Sequence, residues 1–237
     1  MDNPIFRNIP NTITCCNLLS GAAAVYFAFQ PSYVMAFTFI IMGAVFDFFD
    51  GFSARLLHVS SAIGKELDSL ADCITFGMAP AAIVFSFLSE FDVCNSGLMR
   101  LLPFIAFLIA AFSALRLAKF NLDTRQTTSF IGLPTPANAL FWGALVISTR
   151  TSLRDTTWGL LLVLALVLIT CILLVSELPM FALKFKNFSF RDNRIRFLFL
   201  LGAVALIVGF AFCKSGLMGV WLSIVWYILL SVLTRKS

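Results

Sequence analysis

The chain has 237 residues, of which 60% are hydrophobic and only 12% charged, with a mean hydropathy of +0.96. A soluble domain carries about 25% charged residues, so this apolar excess argues against one water-soluble core and for spans that face lipid. The formal charge of +5 is spread along the chain, which argues against a nucleic-acid surface.

The N-terminal "MDNPIFRNIP" lacks the basic region and cleavage site of a signal peptide. A span needs roughly 20 mostly apolar residues. Eight stretches qualify, near 11–29, 33–57, 67–89, 98–119, 134–149, 157–176, 195–212 and 216–234, the fifth being short. Pro10, Pro134, Pro136 and Pro179 mark edges, where a residue without an N–H is tolerated, whereas Pro80 and Pro103 fall inside spans and are expected to kink them. No repeat or linker divides the chain. The expectation is a single all-α domain over 1–237, a polytopic membrane helix bundle of about eight transmembrane helices, with a catalytic core near 9–150 and further C-terminal spans near 157–234.

Orientation follows from lysine and arginine. With the N-terminus cytoplasmic, 13 of them lie inside and 4 outside (Arg100, Arg150, Arg154 and Lys214), so both termini are expected in the cytoplasm. The stretch "KFKNFSFRDNRIR" alternates basic and aromatic residues and reads as an interfacial segment on anionic headgroups, or as a solvated basic loop. The six cysteines form no C-x-x-C pair and read as small buried hydrophobes; the lone His58 reads as a solvated loop residue.

The segment "FDFFDGFSARLLHVSSAIGKELDSLADCITFGMAP" places four aspartates in this apolar chain. Asp47 and Asp50 are three apart at the end of the second span; Asp68 and Asp72 are four apart at the start of the third. Each spacing puts a pair on one helix face, and the short connection makes the helices antiparallel neighbours. All four carboxylates then share one depth near the cytoplasmic surface. A charge in a span costs about 2.5–3.5 kcal/mol by insertion scales, and like charges repel. Arg55 and Lys65 are the only nearby cations in sequence. Two divalent cations, Mg2+ or Mn2+, satisfy such a site economically. A solvated helix–loop–helix edge and an ion pathway are the competing readings. Gly51 and Ala54 open a groove beside the acids, Arg55 offers a planar fork for phosphate, and Gly64 allows close approach to the N-terminus of the third helix.

Asp47-x-x-Asp50-Gly51-x-x-Ala54-Arg55, then eight residues, then Gly64-x-x-x-Asp68-x-x-x-Asp72 resembles the full signature of the CDP-alcohol phosphotransferases. "IPNTITCCNLLSG", "RLAKFNLD", "FIGLPTPANA" and "LLVSELPMFALKFKNF" are similar to segments of the integral-membrane phosphatidylserine synthases within that family. The resemblance implies transfer of a phosphatidyl group from CDP-diacylglycerol to the hydroxyl of L-serine, with release of CMP, at the cytoplasmic face of a cell membrane. It also implies a homodimer among membrane lipids. Carried over by position, Asp47, Asp50 and Asp68 are metal ligands, and Asp72 touches a metal and is the general base. Gly51, Ala54, Arg55 and Gly64 shape the CDP site.

On the first span Asn11, Thr14, Asn17 and Gly21 form a polar or small stripe, read either as an interhelical seam or as a wall for the cytidine. Arg116, Lys119 and Asn121 at the cytoplasmic end of the fourth span, with Arg125 and Ser129 after it, are the acceptor-binding candidates. For the two cations the competing reading is favourable placement near a helix C-terminus. Alternatives are the same chemistry with glycerol 3-phosphate or an inositol compound as acceptor and, more remotely, an intramembrane prenyltransferase or a transporter.

Overall fold

The computed structural model describes residues 4–59, 61–95, 97–123, 130–181, 193–213 and 215–234. Among them the chain is an all-α bundle of helices α1 (Pro4–Phe29), α2 (Tyr33–Leu56), α3 (Ala62–Asp72), α4 (Ala79–Leu88), α5 (Leu108–Leu122), α6 (Thr135–Leu153), α7 (Thr157–Val175), α8 (Arg194–Phe212) and α9 (Gly216–Leu233). A π-helical turn, Cys73–Met78, joins α3 to α4 in one rod, and a 3-10 stretch, Gly97–Phe107, leads into α5. A short 3-10 turn, Asp92–Asn95, and a minimal antiparallel pair, β1 (Phe130–Ile131) with β2 (Pro179–Met180), are the remaining regular elements among the described residues.

Among the described residues seven segments are long and apolar enough to cross a membrane. The fifth expected span, α6, falls outside that set, yet it is enclosed: Ala139, Phe141, Trp142, Ala144, Leu145 and Val146 are all buried. Its neighbours shield it from lipid, so it needs less apolar surface than a lipid-facing helix.

Both prolines expected inside spans, Pro80 and Pro103, sit at or beside irregular helix. Pro80 lies two residues past the π turn, in the first turn of α4, and Pro103 lies within the 3-10 stretch. Each removes one i→i−4 hydrogen bond and crowds the preceding turn, and the backbone adjusts its winding there. Pro10 departs from expectation. It lies inside α1 rather than before it, because its fixed φ is already helical and one missing bond bends a long helix without ending it. The third rod starts earlier than expected, at Ala62, because Ser61 caps it: its Oγ accepts from the Gly64 N–H at 2.9 Å.

Close packing of α1, α2 and the π turn rests on small residues. A Cβ on Gly21 would lie 2.8 Å from Thr75 Cα, and one on Gly43 would lie 2.9 Å from Asn17 Oδ1. Thr75 Oγ1 donates to the Asn17 carbonyl at 3.0 Å. At the opposite end of the bundle Tyr33 Oη donates to Glu90 Oε1, and Arg150 Nε pairs with Glu90 Oε2 at 2.7 Å.

Candidate active site

The α2–α3 connection sets the geometry of the acids. α2 ends in a tight reversal: Val59 N–H donates to Ala54 O at 3.0 Å and His58 N–H to Arg55 O at 3.3 Å. His58 takes the left-handed position at φ +53, and its side chain is exposed. This closure satisfies the last carbonyls of α2 and turns the chain at once into the Ser61 cap of α3. The two helices do not pack on one another as the short connection suggested; each packs on α1, and their aspartate side chains meet beside it.

One carboxylate oxygen from each of Asp47, Asp50 and Asp68 lies within 4.8 Å of the other two. Asp50 is 6% exposed, and Thr14 Oγ1 donates to its Oδ2 at 2.6 Å. Asp68 Oδ1 is buried with no hydrogen-bond partner. Three converging carboxylates and an orphaned oxygen fit a hard divalent cation, which takes oxygen ligands. Asp72 lies outside that trio, one helical turn beyond Asp68, where Asn17 Nδ2 donates to its Oδ1 at 3.2 Å.

Beside the acids opens a cavity of about 220 Å³. Asn11 and Thr14 from α1, Gly51 and Ala54 from α2, and Gly64 and Lys65 from α3 contribute to its walls. A Cβ at Gly51 would meet nothing within 4 Å, whereas one at Gly64 would lie 3.0 Å from Asn11 Oδ1. Gly51 thus keeps the cavity open, and Gly64 lets α1 close on α3. Arg55 is exposed and is not among the lining residues. Lys65, which the sequence offered only as a possible counter-charge, lines the cavity and donates from Nζ to the Asn121 carbonyl at 3.3 Å.

The family model for CDP-alcohol phosphatidyltransferase matches residues 7–175, which include every residue of this acid cluster and its cavity. The chain belongs to the CDP-alcohol phosphatidyltransferase family. Curated relatives named CDP-diacylglycerol–serine O-phosphatidyltransferase are similar to it. That from Helicobacter pylori is 36% identical over 140 residues, 58% of this chain and 56% of the relative. That from Bacillus subtilis is 38% identical over 132 residues, 54% of this chain and 69% of the relative. That from Mycobacterium bovis is 32% identical over 181 residues, 73% of this chain and 60% of the relative. The chain thus spans between about half and two-thirds of the length of these relatives.

In this family member the polar stripe of the first span is spent on the acids. Thr14 and Asn17 bond Asp50 and Asp72, while Asn11 packs on Gly64. Gly21 sits against Thr75, away from the cavity lining.

The acceptor candidates separate. Arg116 is 6% exposed, close enough to Asp72 for their charges to interact, and donates from Nη1 to Thr135 Oγ1 at 3.4 Å; its Nε lacks a partner. Lys119 is exposed and borders a small cleft with Arg116. Asn121 donates from Nδ2 to Ser69 Oγ at 2.7 Å, tying the end of α5 to α3. Arg125 and Ser129 lie outside the described residues, as does most of the basic–aromatic stretch.

Two polar residues escaped the sequence reading. Ser113, one turn before Arg116, and Asn138, one turn after Thr135, are fully buried, and Ser113 Oγ and both amide atoms of Asn138 lack partners. The three-residue step from Thr135 to Asn138 in "PTPANA" was the sequence signal for Asn138 alone. Buried polar groups are almost always paired in native proteins, so these mark a place where a polar molecule or water belongs.

Proposed function

We propose that the protein transfers the phosphatidyl group of CDP-diacylglycerol to the hydroxyl of L-serine, giving phosphatidylserine and CMP. The observation that carries this reading is the convergence of Asp47, Asp50 and Asp68 within 4.8 Å, the last two lining a cavity, with Asp72 and buried Arg116 beyond them. The names of the relatives support serine as the acceptor.

Asp47, Asp50, Asp68 and Asp72 would hold two divalent cations, Mg2+ or Mn2+, which when bound offset the diphosphate charge and polarise the phosphorus. Gly51, Ala54 and Gly64 give the CDP moiety a wall without bulky side chains, and Lys65 adds a positive charge there; Arg55 approaches the nucleotide from the rim. Asn17 occupies Oδ1 of Asp72 and so leaves Oδ2 to take the proton from the serine hydroxyl. The freed oxygen attacks the phosphatidyl phosphorus as the bond to CMP breaks. Arg116 pairs with the serine carboxylate, while Ser113 and Asn138 receive its remaining polar groups. Water kept out of this buried region cannot replace serine as the nucleophile.

The same reading makes 1–237 a single domain with both termini and the acid cluster at the cytoplasmic face. The alternation of the spans supports it: on that topology α2, α5 and α7 end, and α3 and α6 start, on the side that carries most lysines and arginines.

The test supplies purified protein with CDP-diacylglycerol, labelled serine and Mg2+ or Mn2+. CMP and a labelled lipid are the expected products. If glycerol 3-phosphate or inositol outcompetes serine, the acceptor assignment is wrong and the phosphotransfer chemistry stands.

A further inference from the structure

The family match ends at Val175, so α8 and α9 lie beyond it. These helices are nevertheless tied to the acceptor side of the site through a chain of contacts. Leu133, just ahead of α6, is 1% exposed and packs in a small separate core with Leu174, Met180, Phe199, Tyr227 and Leu230. The Gly132 N–H donates to Leu178 O and the Leu133 N–H to Leu173 O, each at 2.9 Å. Gly132 takes φ +76, and a Cβ there would lie 2.6 Å from the Leu174 carbonyl, so only glycine lets the loop come this close. β1 pairs with β2 beside it.

The segment after α7 is in turn held by α9. Tyr227 Oη donates to the Phe181 carbonyl at 3.0 Å, and its ring meets those of Phe181 and Phe199 edge-on at 4.8 and 5.6 Å. This stitching forms a cleft with Arg116 and Lys119 on one side and Ile131, Leu174 and Glu177 on the other. Thr135, the acceptor of the Arg116 hydrogen bond, follows Leu133 by two residues.

We propose that the last two helices hold the acceptor wall, and that Tyr227 is a positioning residue that fixes Ile131–Thr135 and Ser176–Phe181 against Arg116. Through that wall Tyr227 sets the affinity for the acceptor alcohol, a small zwitterionic or anionic molecule, while the donor cavity is built from α1, α2 and α3. This inference rests on the reading that Arg116 faces the acceptor.

The experiment compares wild type with Tyr227→Phe, which removes only the hydroxyl, and Tyr227→Leu, which also removes the ring contacts. Wild type is first offered serine, glycerol 3-phosphate and inositol, and the alcohol that turns over is used throughout. Loss of one hydrogen bond is expected to raise the acceptor KM of Tyr227→Phe about three- to tenfold, and Tyr227→Leu more, with the KM for CDP-diacylglycerol unchanged in both. Should Tyr227→Leu fail to fold, Tyr227→Phe carries the comparison alone. Parallel rises in donor and acceptor KM, a fall in kcat alone, or an unchanged acceptor KM each overturn the proposal. A wild-type protein that uses none of the three alcohols sinks the underlying reading and this inference with it. A serine-active wild type whose variants keep their serine KM sinks the inference alone.

Discussion

Asn17 of α1 donates its side-chain N–H to Oδ1 of Asp72, 55 residues away in sequence, at 3.2 Å. The bond leaves one carboxylate oxygen of Asp72 uncommitted and fixes which one it is. The Asn17 backbone is held as well, since Thr75 Oγ1 donates to its main-chain carbonyl.

If Asp72 is the general base, Asp72→Asn lowers kcat by about 10²–10⁴-fold. Asn17→Ala keeps the carboxylate and loses only its orientation, so a fall of about 10–100-fold is expected, as for other supporting contacts. Initial rates at saturating donor and acceptor measure both. Wild-type turnover by Asp72→Asn would remove the base assignment.

Thr14→Val deletes the 2.6 Å bond to Asp50 and changes little else in shape. The Mn2+ concentration for half-maximal activity is expected to rise about tenfold, and direct Mn2+ binding to the protein should weaken in parallel. Excess chelator abolishes turnover of the wild type. An unaltered metal titration would take Thr14 out of the metal site.

Gly43 and Gly51 lie eight residues apart on one helix and should respond in opposite ways. A methyl at Gly43 lies 2.9 Å from Asn17 Oδ1 and 2.5 Å from the Thr75 side chain, so Gly43→Ala is expected to destabilise by about 1–3 kcal/mol through overpacking. At Gly51 there is open space, so Gly51→Ala keeps its unfolding midpoint, while a bulkier Gly51→Leu raises the KM for CDP-diacylglycerol. Thermal unfolding in detergent and donor kinetics separate the two.

Asn138→Leu asks why a buried amide is kept. With neither amide atom paired, an apolar residue of similar size should hold or raise stability. We expect the unfolding midpoint preserved or higher and the serine KM raised about tenfold, the equivalent of roughly one hydrogen bond. An unchanged serine KM would exclude Asn138 from the acceptor site.

Glu90 joins Tyr33 and Arg150 at the far end of the bundle. Glu90→Ala leaves both without their partner and is expected to cost about 1–2 kcal/mol, below the range for a fully buried pair because the Arg150 side chain is 36% exposed. The KM values for donor and acceptor should not move, since the acids are at the other end. A shifted KM would show that the two ends are coupled.

The sequence alone determined the class of fold and the pairing of the aspartates. Long apolar runs must become helices in lipid, because backbone groups have no water to bond there, and the three- and four-residue steps of the aspartates put each pair on one helix face. Both are local properties, set by composition and helical period. The proposed acceptor side was legible only in part: Arg116 stood out as a charge, but Ser113 and Asn138 looked like ordinary residues in apolar helices. Which candidates share a site was decided by tertiary packing. It turned Arg116 inward toward Asp72 and spent Asn121 on Ser69. It also brought Tyr227 against the loop that precedes α6. Those pairings join helices far apart in the chain, and helical period carries no information across such a distance.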